Sequence, residues 1–299
     1  MPAARQDPTR TKALRDRLAQ QISARYDAIK QAITRSIVDN DCFGLRKFAN
    51  QEVAGITVLS KQQLAAQAMQ QQVEAFHNWL KYATDLAVVE RDAAGQPWSD
   101  AQIQQAYNRG VVRGNVQVRQ ATGSHMIQPI DGSNVVGLLG HPAIREPLVV
   151  AKDKFWTALN GINAQMQLQI NHELSRGLEA GLSPSEIARN INLKVDTVGK
   201  VRARMVARTE IVRAHNSGSV AEYDRLSEVI GEEILSQWLA TLDDRVRSKH
   251  EQRHLKVFKS VDARALMGEP NCRCGLAPYV RSVEGPVAIS TRNNLIDPA

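Results

Sequence analysis

The stretch QWLATLDDRVRSKHEQRH, Gln237–His254, decides the fold class of this 299-residue chain. Upstream of it, apolar residues recur at the three- and four-residue spacing of amphipathic helices. Beyond Ile234 the pattern shortens to Trp238, Leu239 and Leu242, then to Val257 and Phe258, which reads as strands and turns. Trp238 with Leu239 and Leu242 is expected to anchor a small core. The expected architecture is therefore mainly α: a long-helix N-terminal region followed by a small α+β C-terminal module.

The same stretch holds Asp243, Asp244, His250 and His254, and Cys272 and Cys274 follow in PNCRCG, Pro270–Gly275. This is the densest collection of potential metal ligands in the chain. If residues 249–256 are helical, His250 and His254 fall one above the other on one face. Two imidazoles and two thiolates then complete a tetrahedral, closed site for a structural zinc. A polar packed knot without metal is the alternative, with His250 bound to a carbonyl or paired with Asp243 or Asp244. A disulfide between residues two apart would be strained. A catalytic zinc needs an open position and a base such as Asp243, and four protein ligands remove that option.

Working outward, the segment from about Val195 or Thr197 to Asn216 reads as a helix containing ARTE, with a shorter helix at 219–229. Glu210 and Arg213 are spaced to pair, and Lys200, Arg202, Arg204, Arg208 and Arg213 make this helix basic. It reads as a solvated face, a salt-bridge clamp between domains or a nucleic-acid contact. Ser183-Pro184-Ser185-Glu186 is a capping box with proline at the first helical position. Residues 120–149 are rich in glycine and proline and read as a long loop or crossing arm suited to a neighbouring molecule.

Nearer the N-terminus, Leu14, Leu18, Ile22, Tyr26, Ile29 and Ile33 mark a helix from Thr11 to about Val38. Two more begin at Ser60, capped by it and running to about Val89, and at Ser99, running to about Arg119. The expected divisions are a helical domain at 1–119, an arm at 120–150, a module at 151–286 and an extended tail at 287–299.

Composition bounds the partners. The formal charge is +7, with a pI of about 9.4, so the molecule attracts polyanions and acidic protein surfaces. Residues 1–50 hold ten Lys/Arg against five Asp/Glu, and residues 241–283 hold nine against five. Three cysteines, two of them adjacent in the motif, do not make a secreted disulfide framework. No apolar run is long enough for a membrane span, and no signal peptide is read. No nucleotide-binding glycine loop is present.

Three segments occur in a characteristic order: ARTEIVRAHNSG at 207–218, QWLATLDDRVRSKHEQRH at 237–254 and NCRC at 271–274. Together they resemble the phage Mu F-like head morphogenesis family, the minor head proteins of tailed bacteriophages. The resemblance carries over Arg208, Thr209, Glu210, Trp238, Asp243 or Asp244, Arg247, His250, Cys272, Arg273 and Cys274. It implies a non-enzymatic minor capsid component that is assembled in the host cytoplasm and resides in the virion, in the capsid interior or at the portal vertex. The implied partners are portal, capsid or scaffold protein and packaged DNA bound without sequence specificity, in an oligomeric setting. The implied tasks are head assembly, DNA packaging or retention, and ejection. Two other classes stand beside this: a metal-dependent hydrolase or toxin-like transferase in the C-terminal domain, and a nonspecific DNA-binding accessory protein.

Overall fold

The computed structural model describes residues 7–45, 58–88, 91 and 95–283. The expected tail at 287–299 lies outside these residues, as do the side chains of the expected cap at Ser60. Eight α-helices among the described residues run α1 (Lys12–Thr34), α2 (Val58–Val88), α3 (Asp100–Thr122), α4 (Pro142–Glu179), α5 (Pro184–Val195), α6 (Val201–Ile230), α7 (Ser248–Glu251) and α8 (Ser260–Leu266). The strands are β1 (Leu235–Leu239), β2 (Val257–Phe258) and β3 (Gly275–Tyr279). The class is mainly helical with a small α+β module at the C-terminal end. No helix among the described residues is long and apolar enough to cross a membrane.

The chain forms two compact units, each built from separated segments. One comprises residues 19–98 and 158–204. Its core contains Tyr26, Ile29, Ile33, Phe76, Leu80, Ile162, Met166, Ile170 and Ile187, all buried. The α1 seam is as the periodicity predicts, and α1 ends in a π-helical turn at Arg35–Asp39. The capping box at α5 is complete: Ser183 Oγ accepts from the Glu186 amide, and the Glu186 carboxylate accepts from the Ser183 amide at 3.0 Å. Asp196 joins Lys30 and Lys200 at 2.8 and 2.9 Å.

The other unit comprises residues 1–18, 99–157 and 205–299, and it carries the site. Its helical frame is the crossing of α3 and α6. Here α6 is one continuous helix, not the two helices that Asn216-Ser217-Gly218 suggests. Those small residues serve close approach instead of a break. A Cβ on Gly218 would lie 2.2 Å from the Tyr107 carbonyl oxygen, and one on Gly110 would lie 1.9 Å from that of His215. Ser219 Oγ donates to Gly110 O at 3.0 Å, and Asn115 Nδ2 donates to Glu222 Oε1 at 2.9 Å. Gly110 and Gly114 share one face of α3, and backbones can meet there only because no side chain intervenes.

The glycine-rich stretch after α3 packs within the same unit. It buries Ile127 and Val135, and it is laid along α3 by Asn115, which donates to Gln128 O and accepts from the Ile130 amide. The helix that follows starts at Pro142, earlier than the expected Ala151, and contains Pro147 within its second turn.

The sheet is antiparallel with order β2-β1-β3. The register places Trp238 opposite Leu276 and Ser236 opposite both Phe258 and Pro278. Trp238, Leu276 and Val280 pack with Val220, Tyr223 and Leu226 of α6 and Ala263 of α8. Burying this apolar surface fixes the sheet against the helix.

Candidate metal centre

Three side chains from two connections converge beneath the sheet. His250 lies on α7, the single helical turn after β1, while Cys272 and Cys274 lie just before β3. The His250 Nδ1 is 3.3 Å from Cys274 Sγ and 3.5 Å from Cys272 Sγ. Their ligand atoms all lie within 4.8 Å of one another, and all three residues are buried. Both cysteines are free thiols. Zinc held tetrahedrally at about 2.3 Å from sulfur and about 2.0 Å from nitrogen has nitrogen–sulfur edges of about 3.5 Å. The observed separations match, so the cluster is geometrically capable of coordinating a metal ion.

His254 does not join it, which corrects the four-ligand expectation. The helix ends at Glu251, and the chain turns through Leu255 at φ 63° before entering β2. That turn sends His254 to the edge of β1, where its Nδ1 accepts from the Ala240 amide at 3.2 Å. Leu255 and Lys256 are then bound to the backbone of Trp238. Among the described residues the site therefore offers three protein ligands and no fourth.

Glu269 joins the cluster without any ligand spacing in the sequence that marks it. Its Oε2 lies 3.1 Å from His250 Nε2, on the side of the ring away from the sulfurs. The contact is an ion-pair distance and not a hydrogen bond, since Nε2 has no hydrogen-bond partner among the described residues, and it places a carboxylate behind the ring whose Nδ1 faces the sulfurs. Glu269 also meets Lys249 at 2.5 Å and Arg253 at 3.3 Å. Burial pushes its carboxyl up, but Lys249, His250 and Arg253 outweigh this and hold it down to about 2. Its only sequence signal is its place two residues before Asn271 of the NCRC motif. The Cys274 thiol is held below the ordinary range by hydrogen bonds from Cys272 and then His250, against the effect of burial. Cys272 is pushed up, chiefly by its bond to Cys274 and by burial.

The α6 helix is bonded to this loop within the same unit, mainly through the loop's backbone. Thr209 Oγ1 accepts from the Asn271 amide at 2.9 Å. Arg213 bonds Glu210 at 2.6 Å and donates to Gly268 O at 2.8 Å. Asn216 Nδ2 donates to Cys274 O at 2.9 Å. Burial raises the carboxyl of Glu210, and Arg213 opposes that shift. One face of α6 thus reaches the whole segment from Gly268 to Cys274. Gly268 has φ 95° and is so close to Arg213 that a Cβ would collide with the guanidinium.

Of the acidic doublet, Asp243 is the structural member. It receives both terminal nitrogens of Arg273, at 2.5 and 2.7 Å, whereas Asp244 is exposed. Arg247 donates to Pro270 O at 2.6 Å. Trp238 stands edge-on to His250 with centroids 5.9 Å apart, and the Arg253 guanidinium lies 5.5 Å from the Trp238 ring centre.

The Arg273 bonds hold Asp243 down to about 2, below the ordinary carboxylate value of about 3.9. The folded value is the lower one, so the stability contributed by Asp243 is complete above about pH 4 and is lost as pH falls through about 2. Asp243→Asn is expected to lower the urea midpoint at neutral pH and to flatten its decline over that acid interval. Parallel declines in the two proteins would contradict the pairing.

The chain matches no curated protein and no solved structure. Residues 168–277, from within α4 into β3, match the family model for Phage Mu protein F like protein.

Proposed function

We propose that this chain is a minor head protein of a tailed bacteriophage, a structural component that binds the portal vertex or inner capsid and assists head morphogenesis. The observation that carries the reading is the family match over residues 168–277, which includes the α6 clamp, His250 and both cysteines. In this reading the compact C-terminal module is held in shape by His250, Cys272 and Cys274. Arg208, Glu210, Trp238, Asp243, Arg247 and Arg273 support it. The net charge of +7 suits acidic portal, capsid or scaffold surfaces and proximity to packaged DNA without base readout. Retention of DNA or its delivery at infection is the task such a position serves.

Co-expression with the portal protein of the same phage tests this. The expected result is co-purification of the two through size exclusion, with the chain also present in assembled heads. Heads that assemble to full infectivity without the chain, together with no portal association, would overturn the reading.

One observation favours a metal-dependent hydrolase as the second reading: the cluster has three protein ligands and faces a cavity. Among the described residues lining that cavity, however, there is no carboxylate, and Asp243 is engaged by Arg273. A hydrolytic base would have to come from the arriving partner.

A further inference from the structure

The cavity beside the metal centre encloses about 250 Å³, slightly below the roughly 300–1,000 Å³ of pockets for drug-sized ligands. Its wall carries four guanidinium groups, from Arg208, Arg245, Arg247 and Arg273, with Thr241 and Asn271 as neutral polar neighbours. The four differ in how far they are already satisfied. Arg273 is bound on both terminal nitrogens by Asp243. Arg247 is bound to Pro270 O and lies 3.6 Å from Glu269. Arg245, by contrast, has its side chain 72% exposed and approaches a carboxylate no closer than 3.8 Å, at Asp243. Arg208 makes a single long bond, 3.5 Å to Asn271 Oδ1. Burial lowers the affinity of Arg208 for its proton, and the positive charges of Arg15, Arg273 and Arg245 lower it further.

Arg273 and Arg247 are thus held by short hydrogen bonds, to Asp243 and to Pro270 O, whereas Arg208 and Arg245 are the least engaged of the four guanidinium groups lining one small space. Planar guanidinium forks match the oxygens of a phosphate, and the unbalanced charge matches a phosphate dianion. We propose that this cavity is a phosphate-binding site in which Arg208 and Arg245 are the principal ligands. The ligand chemistry is a phosphate group, supplied either free in solution or by a nucleic-acid backbone. The site goes beyond the head-protein reading and does not depend on it. A failed phosphate titration would leave the portal co-purification untouched.

Calorimetric titration of the full chain with inorganic phosphate, against chloride at matched ionic strength, tests the proposal. Saturable binding with one phosphate per chain is expected for the protein as purified, without chelator. Arg208→Ala and Arg245→Ala should each weaken it by about tenfold or more, the loss of a charge-assisted hydrogen bond. Arg189→Ala, an exposed arginine on α5, should leave it unchanged. Arg245 is largely exposed, so its variant is expected to keep the circular dichroism of the parent. Displacement of phosphate by a short DNA duplex would assign the site to backbone phosphate, and failure to displace it would assign free phosphate. No saturable binding, binding unchanged in both Arg208→Ala and Arg245→Ala, or equal weakening by Arg189→Ala would overturn the proposal.

Discussion

Gly218→Ala is expected to destabilise the protein by about 2–4 kcal/mol, although alanine is the better helix former by about 1 kcal/mol. The new methyl group would sit 2.2 Å from the Tyr107 carbonyl oxygen. That oxygen belongs to a helix backbone and cannot rotate away, so α3 and α6 would have to separate. Separation would also stretch the bond from Ser219 to Gly110 and expose the buried link between Asn115 and Glu222. Gly110→Ala should behave alike, because its Cβ would approach His215 O still more closely. Gly161→Ala on α4 is the control. Its added methyl group meets nothing within 4 Å, so helix propensity should act alone and raise the urea midpoint. A gain in stability for Gly218→Ala would show that the crossing is looser than described.

The second large effect concerns the metal centre. Structural metal present at 100–1,000 times its dissociation constant stabilises a fold by about 3–4 kcal/mol. Chelation is expected to remove that contribution from the unit holding β1–β3, and limited proteolysis should then cut near residues 252–256 and 267–271. Cys274→Ser should reproduce the chelated state without chelator, because serine is a poor zinc ligand and stays protonated. Glu269→Gln should weaken metal binding by about tenfold or more, acting through the orientation of His250. Wild-type protein whose cleavage pattern ignores the chelator would contradict this.

Much of this architecture is legible in the sequence where one physical rule acts locally. The α1 seam follows from periodicity alone, since all six apolar positions turn inward. Ser183 and Glu186 cap α5 because both partners lie within a single turn. The shift from helix to strand after Ile234 is legible for the same reason, in the shortening of the apolar pattern. The failures occur where distant chain segments decide the outcome. Asn216-Ser217-Gly218 reads as a helix break, but the same small side chains permit an α3 contact about 110 residues away in sequence. His254 has good helical spacing from His250, yet the β1–β2 pairing ends the helix first. Glu269 has no spacing signal linking it to His250, and only the fold of the loop pinned by Arg213 brings it there. The roles of Thr209, Arg213 and Asn216 in holding that loop are not legible because their partners there are backbone groups, and backbone groups leave no mark in composition.

His250, Cys272 and Cys274 are placed to coordinate a metal ion, and a zinc bound there would keep the C-terminal module in shape. Elemental analysis of the purified full chain tests it most directly. About one zinc per chain is expected, lost in Cys272→Ser and Cys274→Ser and retained in His254→Ala. Metal-free protein that takes up no zinc when supplied with it, or zinc that departs with His254 and persists without Cys274, would contradict the account.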